Sequence, residues 1–258
     1  MTDLSQFFFL RGVNWREWVE RWDRMQEQHL PRRDERFQLM LQLVAETQTR
    51  VRTIFDLGCG TGSLMLQFLE RFPEAEVFGI DFDPVLVVLA HERLAAHRDR
   101  ARIIHADLRT TAWIGQVPAV ADAIVSATAL HWLTRNELVM LYGQVARLVR
   151  ADGIFLNADH VASDCAVLQR VWEKHREDWQ KQSAAGGERW EGFWKAYTSA
   201  LNLPGSDQIH QRVLGGWKGG VEEGLPLVWH FDQLRQRGFR HVDCFWRLDA
   251  DAIYGGIR

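Results

Sequence analysis

The stretch Phe55-Asp56-Leu57-Gly58-Cys59-Gly60-Thr61-Gly62-Ser63-Leu64 decides how this chain folds. An apolar run, Thr53-Ile54-Phe55, leads into it. Apolar residues at helical steps, Leu64, Met65, Phe68, Leu69 and Phe72, lead out. The spacing predicts a strand, a tight glycine turn and a helix. Glycine suits backbone at positive φ, or backbone that a ligand must approach closely. The helix start beyond the turn presents unpaired N–H groups and the positive end of a dipole. Such a turn can cradle a nucleotide-like or carboxylate-bearing ligand.

The spacing narrows the ligand. A dinucleotide fingerprint is G-x-G-x-x-G. Here Ser63 stands at its last position and the glycines run G-x-G-x-G. Asp56 is an acid where a dinucleotide fold usually carries an apolar residue. Both departures disfavour an NAD(P)-binding protein. Downstream, Val77-Phe78-Gly79-Ile80-Asp81 reads as a second strand ending in an acid. Asp81 lies close to the ~20-residue offset at which a carboxylate reaches a ribose diol. Phe82 follows it, near the expected adenine face, and Asp83-Pro84 is a helix start with an N-cap and proline at N1. A third strand, Ile103-Ile104-His105, leads to Asp107 and Leu108. A fourth, Ala123-Ile124-Val125-Ser126, leads to Leu130-His131-Trp132. Thr134 and Glu137 then form a capping box. His131 and Trp132 therefore fall between a strand's carboxyl end and a helix start, the edge where open α/β sheets bind ligands.

The D-x-G-x-G-x-G pattern resembles motif I of the class I S-adenosylmethionine (SAM)-dependent methyltransferases. The Leu-His-Trp segment is similar to that of several small-molecule members, including carboxylate methylators of the trans-aconitate type. The resemblance covers residues 50 to about 160 well and the two ends more loosely. It implies SAM as cofactor, with Asp107 accepting from the adenine amino group and Leu108 supplying a backbone N–H. The cofactor residues expected are Asp56, Gly58, Cys59, Gly60, Gly62, Asp81, Phe82, Asp107, Leu108 and Ser126. Cys59 is expected as a small turn residue, not as a nucleophile.

Around this centre, 47% hydrophobic and 25% charged residues describe an ordinary soluble domain. The balance of 31 basic and 34 acidic side chains gives net −3, which disfavours non-specific nucleic-acid binding. Three scattered cysteines suggest no disulfide framework or zinc spacing, and a reducing, cytoplasmic setting is expected. No run is apolar and long enough to span a membrane, and Phe7-Phe8-Phe9-Leu10 is too short for a signal-peptide core. Asp159 and His160 follow the fifth strand without evident partners, so no metal site is expected.

Two helices, at 14–29 and 32–48, are predicted to break at Pro31. Residues 52–158 alternate strands near 53–56, 77–81, 102–106, 121–126 and 153–158 with helices near 63–72, 84–97 and 136–148. That alternation predicts an α/β, doubly wound parallel sheet, and Asp152-Gly153 marks the turn before the fifth strand. A helix near 228–237 and strands near 240–247 and 252–257 close the chain. The resemblance implies a Rossmann-like sheet, mostly parallel, whose last strand is antiparallel. The expected division is an N-terminal helical lid over 1–50, a SAM-binding core over 51–158, a helical cap over 159–225 and a closing segment over 226–258.

Eight of the twelve tryptophans lie in the first helix or the cap: Trp15, Trp18, Trp22, Trp172, Trp179, Trp190, Trp194 and Trp217. The resemblance implies that both elements cover the active site. Most of these rings are expected to pack as core. A few, with Trp22 and Trp172 as the choice, are expected to line an acceptor pocket together with Trp132. A histidine is suited to removing a proton from a hydroxyl, amine or acidic carbon, and His131 is the candidate base. The expected function is methyl transfer from SAM to the O, N or C of a small organic acceptor. The rivals are an RNA-modifying methyltransferase and a SAM-binding protein without transferase activity. The sequence lacks Asn-Pro-Pro-Tyr and a Pro-Cys pair, which disfavours base methylation.

Overall fold

The computed structural model describes residues 13–183, 190–200 and 224–258. Phe7–Leu10, Trp217 and the glycine pairs at 215–216 and 219–220 lie outside the described residues. Helix α1 (Trp15–His29) starts where the Asn14 side chain accepts from Glu17 N–H, and it ends at Leu30, just before Pro31. Helix α2 (Arg33–Thr47) follows. The alternating core then runs β1 (Thr53–Leu57), α3 (Ser63–Arg71), β2 (Glu76–Asp81), α4 (Pro84–Arg93), β3 (Ala101–His105), β4 (Ala121–Ala127), α5 (Arg135–Leu148) and β5 (Val149–Ala162). Beyond it come α6 (Ala166–Ser183), α7 (Trp190–Ala200), the short β6 (Leu225–Pro226), α8 (Leu227–Arg235), β7 (His241–Leu248) and β8 (Asp251–Ile257).

The main path through the sheet is β3-β2-β1-β4-β5-β8-β7, with β6 beside the end of β5. Strands β1 to β5 pair in parallel, and β8 runs antiparallel to both β5 and β7. The fold is therefore α/β, Rossmann-like and mostly parallel, with an antiparallel last strand. The chain crosses from β1 outward to β3 and returns to β4 on the other side of β1, so a crevice opens at the carboxyl ends of β1 and β4.

Side-chain alternation splits the core into two faces. Phe55, Phe78, Ile124 and Phe155 meet Leu141 and Tyr142 of α5 and Leu234 of α8. Ile54, Val77, Val125 and Leu156 meet Met40 and Val44 of α2 and Phe68 of α3. Helices on both faces explain why these strands read as continuous apolar runs.

Strand β5 is longer than 153–158. Asp152 does take a turn-like φ of 60°, and the β4–β5 register shifts there, so the predicted turn is a bulge within one long strand. At its far end β8 keeps β5 extended, pairing Asp159 with Ala252 and His160 with Asp251. A third apolar cluster joins Trp18, Trp22 and Met25 of α1 to Val85 and Leu89 of α4 and to Phe193, Trp194 and Tyr197 of α7. No described helix is long and apolar enough to cross a membrane.

Candidate active site

A cavity of about 300 Å³ opens at the carboxyl edge of β1, β2 and β4, beneath α1 and α7. The glycine turn forms its floor. Gly58, Gly60 and Gly62 have φ of 73°, 53° and 75°, conformations that a side chain would strain. A Cβ at Gly58 would also collide with Ala129, so the turn packs directly under the loop that carries His131.

Three acids reach this floor from three strand ends. Asp81 accepts from Gly60 N–H at 2.7 Å and from Asp83 N–H at 2.9 Å, which ties the turn to β2. Burial pushes its carboxyl up to about 7, against the opposing pull of those donors. Asp56 is 1% exposed, and its Oδ2 has no hydrogen-bond partner among the described residues. Burial, with the Asp81 charge adding, raises it to about 8. Asp107 is held by the Arg109 guanidinium, Nε and Nη2 lying 2.9 and 2.7 Å from its oxygens. Burial acts to raise that carboxyl, but the Arg109 hydrogen bonds and charge prevail and hold it below the usual range. Arg109 also lies 5.9 Å over the Phe82 ring. Leu108 and Cys59 complete this part of the wall, the Cys59 thiol pushed well up by burial.

At the other end stands His131, in a single helical turn over Leu130–Trp132. Its Nδ1 lies 2.7 Å from Asp159 Oδ1, and its backbone N–H donates to Asp159 Oδ2 at 3.0 Å. Burial alone would raise Asp159, but the two neighbouring imidazoles and these hydrogen bonds hold it well below the carboxylate range. The Trp132 ring lies 5.2 Å from that of His131. Trp22, Trp194, Phe37, Arg33, Arg176 and His160 line the same chamber.

Three expected site residues do not line the chamber. Ser126 is fully buried and donates to Leu57 O at 2.6 Å, a β4–β1 tie rather than a cavity wall. Gly62 belongs to the turn but does not line the cavity, and a Cβ added there would meet Leu94. Trp172 stacks under Arg247, 4.5 Å from ring centre to guanidinium, and does not line the chamber. Its helical spacing puts it on the same face of α6 as chamber-lining Arg176, but the ring meets Arg247 instead of reaching the cavity. The Trp190 side chain lies outside the described residues.

The fold also supplies what spacing did not reveal. The partner of Asp159 is His131, one strand away in the sheet. His131, Asp159 and His160 have potential ligand atoms within 4.8 Å of one another, close enough to hold a metal ion, which the sequence did not foretell. Their shortest contact is already a satisfied hydrogen bond. His160 pairs with Asp251 at 2.9 Å, a contact between the fifth strand and the last that no local pattern marks.

Comparison with known proteins agrees with this architecture. The family described as "Methyltransferase domain" matches residues 54–153. Trans-aconitate 2-methyltransferase of Mycobacterium ulcerans (strain Agy99) is 34% identical over 92 residues, covering 36% of this chain and 31% of that protein. The Escherichia coli (strain 55989 / EAEC) enzyme of the same name is 27% identical over 140 residues, covering 53% and 52%. The chain thus spans about a third to a half of the length of these curated relatives. An O-methyltransferase family protein from Burkholderia thailandensis superposes with a TM-score of 0.57 at 19% identity, over 86% of this chain and 55% of that one. Mitomycin 7-O-methyltransferase does so with a TM-score of 0.53 at 16% identity, over 96% and 61%. Strand order and glycine turn agree with the domain match, which gives residues 54–153 of this chain a methyltransferase domain.

Proposed function

We propose that this chain transfers a methyl group from SAM to a small organic acceptor in the aromatic-lined chamber. The observation that carries the reading is one cavity shared by the glycine turn, three strand-end acids and His131, whose ring the buried Asp159 holds from outside that cavity. The residues suit the cofactor. The unpartnered, buried Asp56 oxygen calls for a cationic donor, and SAM carries an ammonium. Asp81 stands at the ribose, and Phe82, Leu108 and Asp107 at the adenine. Asp107 would share its oxygens with Arg109. The cofactor, once bound, supplies an activated methyl group.

The chain's own work is to orient, exclude water and move a proton. Asp159 accepts from His131 Nδ1–H, which leaves the Nε2 lone pair on the opposite side of the ring. His131 is then the base for a hydroxyl, amine or acidic carbon. Trp132, Trp22 and Trp194 keep the chamber dry. On this reading the described helices α1 and α7 act as covers over the core.

Calorimetry with SAM and S-adenosylhomocysteine (SAH) tests the first half, and Asp56→Asn should weaken both. Incubation with methyl-labelled SAM and a panel of small hydroxyl, amine and carboxylate compounds tests the second. Binding of NADH in place of SAM would sink the reading. Label appearing only when RNA is added would replace it with the RNA-modifying alternative, and SAM binding without any transfer would leave a binding protein.

A further inference from the structure

We propose that His160 is a second acceptor-facing imidazole, and that the chamber takes an aromatic acceptor with two neighbouring hydroxyl groups, of the catechol type. This rests on the methyltransferase reading above. His160 follows Asp159 on β5, and polar atoms of His131, Asp159 and His160 lie within 4.8 Å of one another. Asp159 lines only a small neighbouring pocket, whereas His160 lines both that pocket and the chamber. The His131 and His160 ring centres are 4.8 Å apart.

Each imidazole is oriented by its own buried carboxylate. His131 Nδ1 meets Asp159 at 2.7 Å, and His160 Nδ1 meets Asp251 at 2.9 Å. Asp251 in turn has Arg36, itself 2% exposed, at 3.7 Å. An ionised carboxylate only accepts, so each neutral ring carries its proton on Nδ1. Arg176 approaches the same His160 nitrogen only to 3.5 Å and does not displace Asp251. Nε2 is therefore the nitrogen that each ring keeps free to accept, and both rings line the chamber.

Two adjacent acceptors inside an aromatic chamber ask for two adjacent donors. An acceptor with one hydroxyl satisfies one nitrogen and leaves the other unpaired, at the cost of a missing hydrogen bond. A catechol satisfies both, and its flat ring suits walls made by Trp22, Trp132, Trp194 and Phe37. In the reaction, the hydroxyl facing His131 gives its proton to Nε2 while its oxygen takes the methyl group. The sulfur keeps the electron pair of the broken S–C bond, and the hydroxyl facing His160 remains.

The test uses the full chain saturated with SAH, titrated calorimetrically with catechol, phenol and benzoate. Catechol should bind about tenfold more tightly than phenol, the scale of one hydrogen bond. His160→Gln should bring catechol close to phenol while SAH affinity holds, which shows the variant is folded. With SAM, wild type should give only the mono-methyl ether. Equal affinity for catechol and phenol, a catechol preference that survives His160→Gln, or tightest binding of benzoate through Arg33 and Arg176 would each overturn the inference alone. Failure of wild type to bind SAH would instead overturn the methyltransferase reading and this inference with it.

Discussion

Asp159 sets the proton arrangement of the site with two oxygens, one on the His131 ring and one on its backbone. In Asp159→Asn the amide can turn a donor toward Nδ1. The ring proton then moves to Nε2, and the lone pair proposed to act as base is lost. We expect kcat to fall about 10²–10⁴-fold, the range for losing general-base catalysis, with SAH affinity unchanged. Methyl transfer at saturating SAM, read beside SAH calorimetry, separates this from unfolding. An unchanged kcat would remove the pair from the reaction. The residue types around the turn were legible because Asp56, Asp81 and Asp107 each end a strand readable by itself. The His131–Asp159 bond was not legible. It depends on β4 and β5 lying side by side in register, and that is a property of the sheet. Ser126 shows the opposite error, since a polar residue at a strand end can serve the neighbouring backbone instead of a ligand.

Helices α1 and α7 carry most of the aromatic cover, and their roles divide within one helix face. Trp18 packs edge-on against Phe193 at 5.8 Å and tilted against Tyr197 at 4.9 Å, away from the cavity lining. Trp22, one turn later, packs on Phe193 and Trp194 and also lines the chamber. Both Trp→Ala changes should lower stability by about 3–5 kcal/mol, as for large aromatic truncations in a core. Only Trp22→Ala should also raise the acceptor KM. Denaturant unfolding beside steady-state kinetics checks this, and equal KM effects would deny the chamber its division between wall and core. The period of these helices was plain in sequence, and so was the likelihood that most of their tryptophans pack as core. Which ring reaches the cavity was not, because the four-residue step puts Trp18 and Trp22 on the same face. Trp172 illustrates the limit, with a correct helical position but a ring that meets Arg247.

At the scale of the whole molecule, the sheet gathers acids at one edge, and their protonation couples folding to ligand binding. Asp56 and Asp81 are raised to about 8 and about 7 by burial. The unfolded chain sheds these protons near the ordinary carboxylate range. Between those limits the folded state holds more protons than the unfolded one, so stability falls as pH rises. Buried His230 acts the other way. Burial lowers it to about 3, so its contribution grows with pH and is complete once the unfolded histidine is neutral, near 6.5. The depressed carboxyls of Asp107, Asp159 and Asp251 are ionised in both states throughout this range and add nothing to the slope. From about pH 6.5 to 8, then, Asp56 and Asp81 dominate, and the Tm of the ligand-free protein should decline. A ligand that brings an ammonium to Asp56 favours its ionised form, so binding should release a proton and tighten across the same window. The rise in Tm on saturation with SAH should be larger at pH 8 than at pH 6.5, and Asp56→Asn should flatten both trends. Calorimetry in buffers of different ionisation enthalpy measures the proton directly. A ligand-free Tm independent of pH, together with SAH binding that releases no proton, would show that Asp56 is already ionised in the empty site and meets a cation other than the ligand.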